Sequence, residues 1–118
     1  MRSFGQVLVA AGGTPARATA NQTTPSAVVQ LQKVRIQVRP ANTGILYIFQ
    51  GGGNFSGDHR TTRDVVLAIL PAPASATSGP FAYFEFGEEV VPVGLNLADI
   101  WLDVSANGDG GIIAGVTG

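Results

Sequence analysis

The sequence predicts an all-β fold: a β-sandwich, jelly-roll-like in layout, with seven or eight strands and no substantial helix. Three observations carry this expectation. Short apolar, β-branched segments recur along the chain with Gly-, Pro- and Asn-containing turns between them, the pattern of a sandwich or barrel. The segments 33–39, 81–86 and 99–104 alternate apolar and polar residues with period two, as half-buried strands do because successive side chains point to opposite faces. No stretch reads as a convincing helix, and 118 residues suit one domain able to bury roughly two thirds of its unfolded surface.

The elements follow in order. Residues 6–10 are apolar and β-branched and are closed by Gly12-Gly13-Thr14-Pro15. The longer stretch 4–11 reads as a first strand or an ordered arm, which sets residues 1–12 apart from a single sandwich domain, 13–118. Residues 17–20 add a short strand, and 21–26 form a loop too rich in Thr, Asn and Pro for a helix interior. In residues 28–39, Val34, Ile36 and Val38 share one face, while Val29 and Leu31 upstream have the opposite parity. That phase change at Gln32-Lys33 predicts a bulge, or a bend where one strand serves two sheets. Pro40 stops the pairing because it has no N–H to donate.

Residues 45–50 are apolar on both faces, as in a central strand covered on both sides. A glycine loop, 51–57, extends to 62, and a further apolar strand, 65–70, ends at Pro71-Ala72-Pro73. Residues 81–86 place Ala82, Phe84 and Phe86 on one face and Phe81, Tyr83 and Glu85 on the other. Residues 90–93 pair briefly, and 95–98 form a turn or one helical turn. Ile100, Leu102 and Val104 then point inward, with Asp99, Trp101 and Asp103 outward. The turn 107–111 returns the chain as a last strand, 112–116.

Composition narrows the function. Apolar residues make up 45% and charged residues 13%, about half the charged share of an ordinary soluble domain. Weakly polar surface of this kind is easily buried against a partner, which points to a homo-oligomer or an assembly component. There are no cysteines, so packing and backbone pairing must supply the stability. The net charge of −1 argues against a dedicated nucleic-acid binder. The charges are unevenly placed: Arg2, Arg17, Lys33, Arg35 and Arg39 face only Asp58 in residues 1–59, whereas Arg60 and Arg63 face seven acids in residues 60–118. Such asymmetry pairs strands within one copy, or faces between copies. No run approaches the ~18 apolar residues of a membrane span, and Gln6 interrupts the faint likeness of 4–11 to a signal peptide.

Chemistry-bearing motifs are weak. His59 is the sole histidine, and no Gly-x-Ser-x-Gly elbow supplies a nucleophile for it. The loop Gly51-Gly52-Gly53-Asn54-Phe55-Ser56-Gly57 lacks the lysine of a phosphate-binding loop. Glu88-Glu89 has no second acid at defined spacing. Asp103, Ser105, Asn107 and Gly108 begin like a calcium loop, but Ala114 stands where the bidentate glutamate belongs, so a hairpin turn is the better reading. Asn21 and Asn54 fit the glycosylation sequon and, without a leader, read as chance matches. No catalytic, cofactor-binding or metal-ligating residue is expected, and the chain does not read as an enzyme. Phe81, Tyr83 and Trp101 lie opposite the best apolar rows, where they fill an intersheet layer, anchor a protein interface or stack on sugar. With the apolar start of the chain (Phe4, Val7, Val9), they are the candidate interface residues.

The stretch Gly13-Thr14-Pro15-Ala16-Arg17-Ala18 through Thr23-Thr24-Pro25, and then Pro40-Ala41-Asn42-Thr43-Gly44, resembles small virion proteins of tailed bacteriophages. So does Leu95-Asn96-Leu97-Ala98-Asp99-Ile100-Trp101-Leu102-Asp103, leading through a Gly-rich hairpin into a short final strand. The resemblance is one of style over most of the chain. It implies a head decoration (cement) protein: a sandwich or jelly roll that binds the major capsid protein on the outside of the shell, without nucleic acid or membrane partners. A tail or head-fibre module that binds a host glycan is the alternative.

Overall fold

The computed structural model describes residues 2–51, 58, 60, 66–75, 77, 81–87 and 95–116. Half of the described residues are strand and 4% are helical. The strands are β1 (Arg2–Leu8), β2 (Ala16–Arg17), β3 (Gln30–Leu31), β4 (Lys33–Val38), β5 (Leu46–Gln50), β6 (Val66–Leu70), β7 (Tyr83–Gly87), β8 (Leu95–Asn96), β9 (Ile100–Val104) and β10 (Gly110–Val116). Eight of them form two four-stranded antiparallel sheets, ordered β1-β10-β4-β7 and β2-β9-β5-β6, while β3 and β8 pair separately.

The pairing is nested. β1 joins β10, β2 joins β9, β4 joins β7 and β5 joins β6, so one long antiparallel ribbon runs from the chain ends to its middle. Rolling that ribbon brings β10 against β4 and β9 against β5, which closes the two sheets over a common core. This is the jelly-roll arrangement of an eight-stranded double sheet.

Period-two alternation builds the core. Val34, Ile36 and Val38 from one sheet meet Leu46, Ile48, Ile100, Leu102 and Val104 from the other, all fully buried. Each large aliphatic side chain buried this way contributes about 1.5–3 kcal/mol. The phase change at Gln32 is where the chain leaves the β3–β8 pair and enters β4, so Leu31 and Val34 both turn inward.

β1 is an integral edge strand. Its register with β10 runs from Arg2 opposite Gly115 to Leu8 opposite Gly110, with a shift between Ser3 and Gly5. Gly5 takes φ 79, a conformation open to glycine at little cost. The extra residue changes the parity of the strand, so Phe4 and Val7 both point inward. Asn96 caps the 3-10 turn Leu97–Asp99, its side chain accepting from the Ala98 N–H.

Candidate functional site

The outer face of the β1-β10-β4-β7 sheet is built by the same alternation that fills the core. With Val34, Ile36 and Val38 inward, Lys33, Arg35 and Gln37 point outward at a repeat of about 7 Å. The register sets Val116, Ala114 and Ile112 beside them on β10, and Glu85 and Tyr83 beside Arg35 and Gln37 on β7. The long side chains are drawn down onto neighbours. Lys33 Nζ lies 3.0 Å from Glu85 Oε1, and the Arg35 guanidinium sits 4.2 Å from the centroid of the Tyr83 ring. Arg39 Nε donates to Gln6 Oε1 at 2.9 Å, and its Nη1 donates to the Gly108 carbonyl. The result is a low face with a short apolar centre and, among the described residues, three cations against one carboxylate, on a chain whose net charge is −1.

The other sheet is covered outside as well as inside. Tyr47, Phe49 and Asp103 point away from the core, yet they are 6%, 0% and 1% exposed. Arg60, held by Asp58, supplies part of this cover. Arg60 grips both oxygens of Asp58, donates Nη1 to the Val104 carbonyl at 2.8 Å, and holds Nε 3.7 Å from Asp103 Oδ2. The Asp58 hydrogen bond is the largest cause raising the Arg60 pKa above its ordinary value, so the guanidinium is a permanent cation. Asp103 Oδ1 accepts from the Gly13 and Val104 N–H groups, tying the β1–β2 connection to β9.

A second set of polar groups secures the loops at one end of the sandwich. Buried Asp109 accepts from the Thr43 and Gly44 N–H groups. Asn42 donates Nδ2 to the Gly110 carbonyl and accepts the Gly110 N–H, as a strand residue would. Ser105 Oγ accepts from the Ile45 N–H, and Asn107 Oδ1 from the Gly12 N–H. The oxygens of the calcium-like stretch thus serve separate backbone donors in two loops and do not converge. Ser105–Gly108 is the hairpin turn, with Gly108 at φ 87. Among the described residues, no group of three His, Cys, Asp or Glu is placed to hold a metal ion.

The six candidate interface residues divide. Phe4, Val7 and Val9 are 7%, 2% and 0% exposed; they are core side chains, because β1 and the residue after it pack into the sandwich. Phe81 is half-buried against the core. Trp101 is half-buried on the outer face of the second sheet, with the Arg17 guanidinium 4.7 Å from its ring centroid. Tyr83, 53% exposed, is the one that presents a surface. Asn21, read as a chance sequon, spends its side-chain amide on the Phe4 and Gln6 carbonyls. His59, Asn54, Glu88, Glu89 and residues 52–57 and 90–93 lie outside the described residues. What sequence reading missed is the loop-tying role of Asp103, Asp109, Asn42 and Arg60, each of which reaches a backbone partner 44 to 90 residues away.

Compared with known protein families, curated proteins and solved structures, the chain matches none.

Proposed function

We propose that the protein is a non-enzymatic virion component that binds the outside of a bacteriophage capsid shell and stabilises it, as a decoration protein does. The observation that carries this reading is the division of labour among its polar groups. Asp103, Asp109, Asn42, Ser105, Asn107 and Arg60 stiffen the loops of a jelly roll. The outer face of one sheet gathers Lys33, Arg35, Arg39, Glu85 and the exposed Tyr83 into one low surface. A rigid body with one such contact face suits a part that works by docking in many copies, where weak contacts add. Jelly rolls recur in viral capsid domains and in lectins, so the fold agrees with the role without determining it.

The glycan-binding alternative has less support. A sugar stacks on an open aromatic face, and Tyr83 and Trp101 each already carry a guanidinium over the ring. The decisive experiment is co-sedimentation of the purified protein with empty capsid shells of the source phage. Saturable binding at a constant ratio to the shell protein is expected. Absence of binding, together with a positive glycan array, would replace this reading with the alternative.

A further inference from the structure

The exposed edges of the two sheets are not treated alike. An edge strand presents unpaired backbone groups, and proteins ordinarily blunt it with bulges, prolines or covering side chains. β1 carries the bulge at Gly5, and its outward Phe4 and Gln6 carbonyls accept from Asn21 Nδ2, with Gln22 Nε2 also donating to Phe4. β6 carries a register shift opposite Ile48 and Phe49 and runs into Pro71. β2 is two residues long.

β7 has none of these devices. It pairs with β4 in unbroken register over five residues and contains neither proline nor lysine. The Val38 N–H donates to the Ala82 carbonyl, so Ala82, Phe84 and Phe86 are the residues bonded to β4. By the alternation of an antiparallel ladder, the N–H and C=O of Tyr83 and Glu85 point to the open side. Among the described residues, β6 lies beside β7 but no hydrogen bond reaches these four groups.

We propose that this edge pairs with the same edge of a second copy, antiparallel about a two-fold axis, in the register that sets Phe84 opposite the partner's Phe84. Charge selects that register. Centring the pair on Glu85 opposes two carboxylates, and centring it on Tyr83 brings two stacked arginines together; like charges in these positions are unfavourable. Centring on Phe84 instead sets Tyr83, with the Arg35 guanidinium over its ring, opposite the partner's Glu85. Glu85 holds Lys33 through Oε1, which leaves Oε2 to face the partner's Arg35. The two four-stranded sheets become one eight-stranded sheet, and the half-buried Phe84 rings close over the seam. The contact is isologous, so it closes as a dimer and does not propagate. A five-residue edge buries less than the roughly 1,200 Å² of a standard stable interface, so the dimer forms and dissociates with concentration. This inference does not rest on the shell-binding proposal.

The test combines sedimentation equilibrium with amide hydrogen exchange on the full chain, from micromolar to millimolar concentration. A monomer–dimer equilibrium is expected, with Tyr83 and Glu85 amide protection rising as the dimer fills. Tyr83→Pro removes an outward N–H without touching the β4 ladder and should leave a folded monomer at every concentration. Glu85→Arg should weaken dimerisation roughly tenfold, and adding Arg35→Glu to it should restore the affinity. A chain that stays monomeric with both amides unprotected overturns the proposal. So does a dimer that leaves those amides unprotected, or one whose affinity Glu85→Arg does not change. The exchange and charge-swap readouts stand even if Tyr83→Pro fails to fold.

Discussion

Removing the Asp109 carboxylate tests whether buried polar groups hold the loop end of the sandwich. Its oxygens accept from Thr43 N–H at 3.1 and 3.0 Å and from Gly44 N–H at 2.7 Å, at a residue 5% exposed. Asp109→Ala leaves two backbone donors without their acceptor. Each such donor costs about 1–3 kcal/mol when it stays dry. Thr43 is exposed and can recover a water, whereas Gly44 is half-buried and packed beside Ser105 and Ala106. The expected loss is therefore about 2–3 kcal/mol, or a melting temperature lower by roughly 8–12 °C for a chain of this length. Urea unfolding should show the same loss as a lower midpoint at unchanged slope, and hydrogen exchange should quicken first at residues 43–45. Asp99→Ala, at an exposed position, is the control and should stay within about 0.5 kcal/mol. A loss at Asp109 no larger than the control's would refute the view that these hydrogen bonds hold the loop.

Three further outcomes follow from the same geometry. Gly110→Ala puts a Cβ against the Val7 carbonyl and should lever β1 off β10, costing more than about 3 kcal/mol by calorimetry. Ile36→Ala, at a fully buried position between the sheets, should cost about 2–5 kcal/mol in denaturant titration with the fold retained by far-ultraviolet circular dichroism. Asn21→Ala strips the cover from the β1 carbonyls and should lower stability by only about 1 kcal/mol; light scattering at high concentration should nevertheless show more association, because the edge becomes a template.

Much of the sandwich is legible in the residues because a strand's side chains alternate regardless of what lies beyond. Residues 33–38 and 100–104 declare their inward rows, and the parity break at Gln32 marks the passage from β3 to β4. Apolar residues on both faces of β5 signal a central strand, and β9 and β6 flank it. At the chain start the pattern is less direct. The strand runs over Arg2–Leu8 with a bulge at Gly5, where the apolar, β-branched run places it at 6–10. Apolarity alone does not separate an arm seeking a partner from an edge strand already holding one.

For residues 33–38, 46–50 and 100–104 the sequence by itself determined the strands and, where alternation is clean, the rows that face the core, because these depend on local period and turn chemistry. Only the tertiary structure decided that Asp103, an outward residue by parity, is 1% exposed, since alternation carries no information about the cover lying over a sheet's outer face. It alone decided that Phe4, Val7 and Val9 are core, and that the oxygens of residues 103–109 bind loops. Those partners lie far along the chain, and what brings them together is the rolling of the nested ribbon. The open edge of β7 has the same origin: a strand is an edge only by its place in the sheet order, and no residue within it records that place.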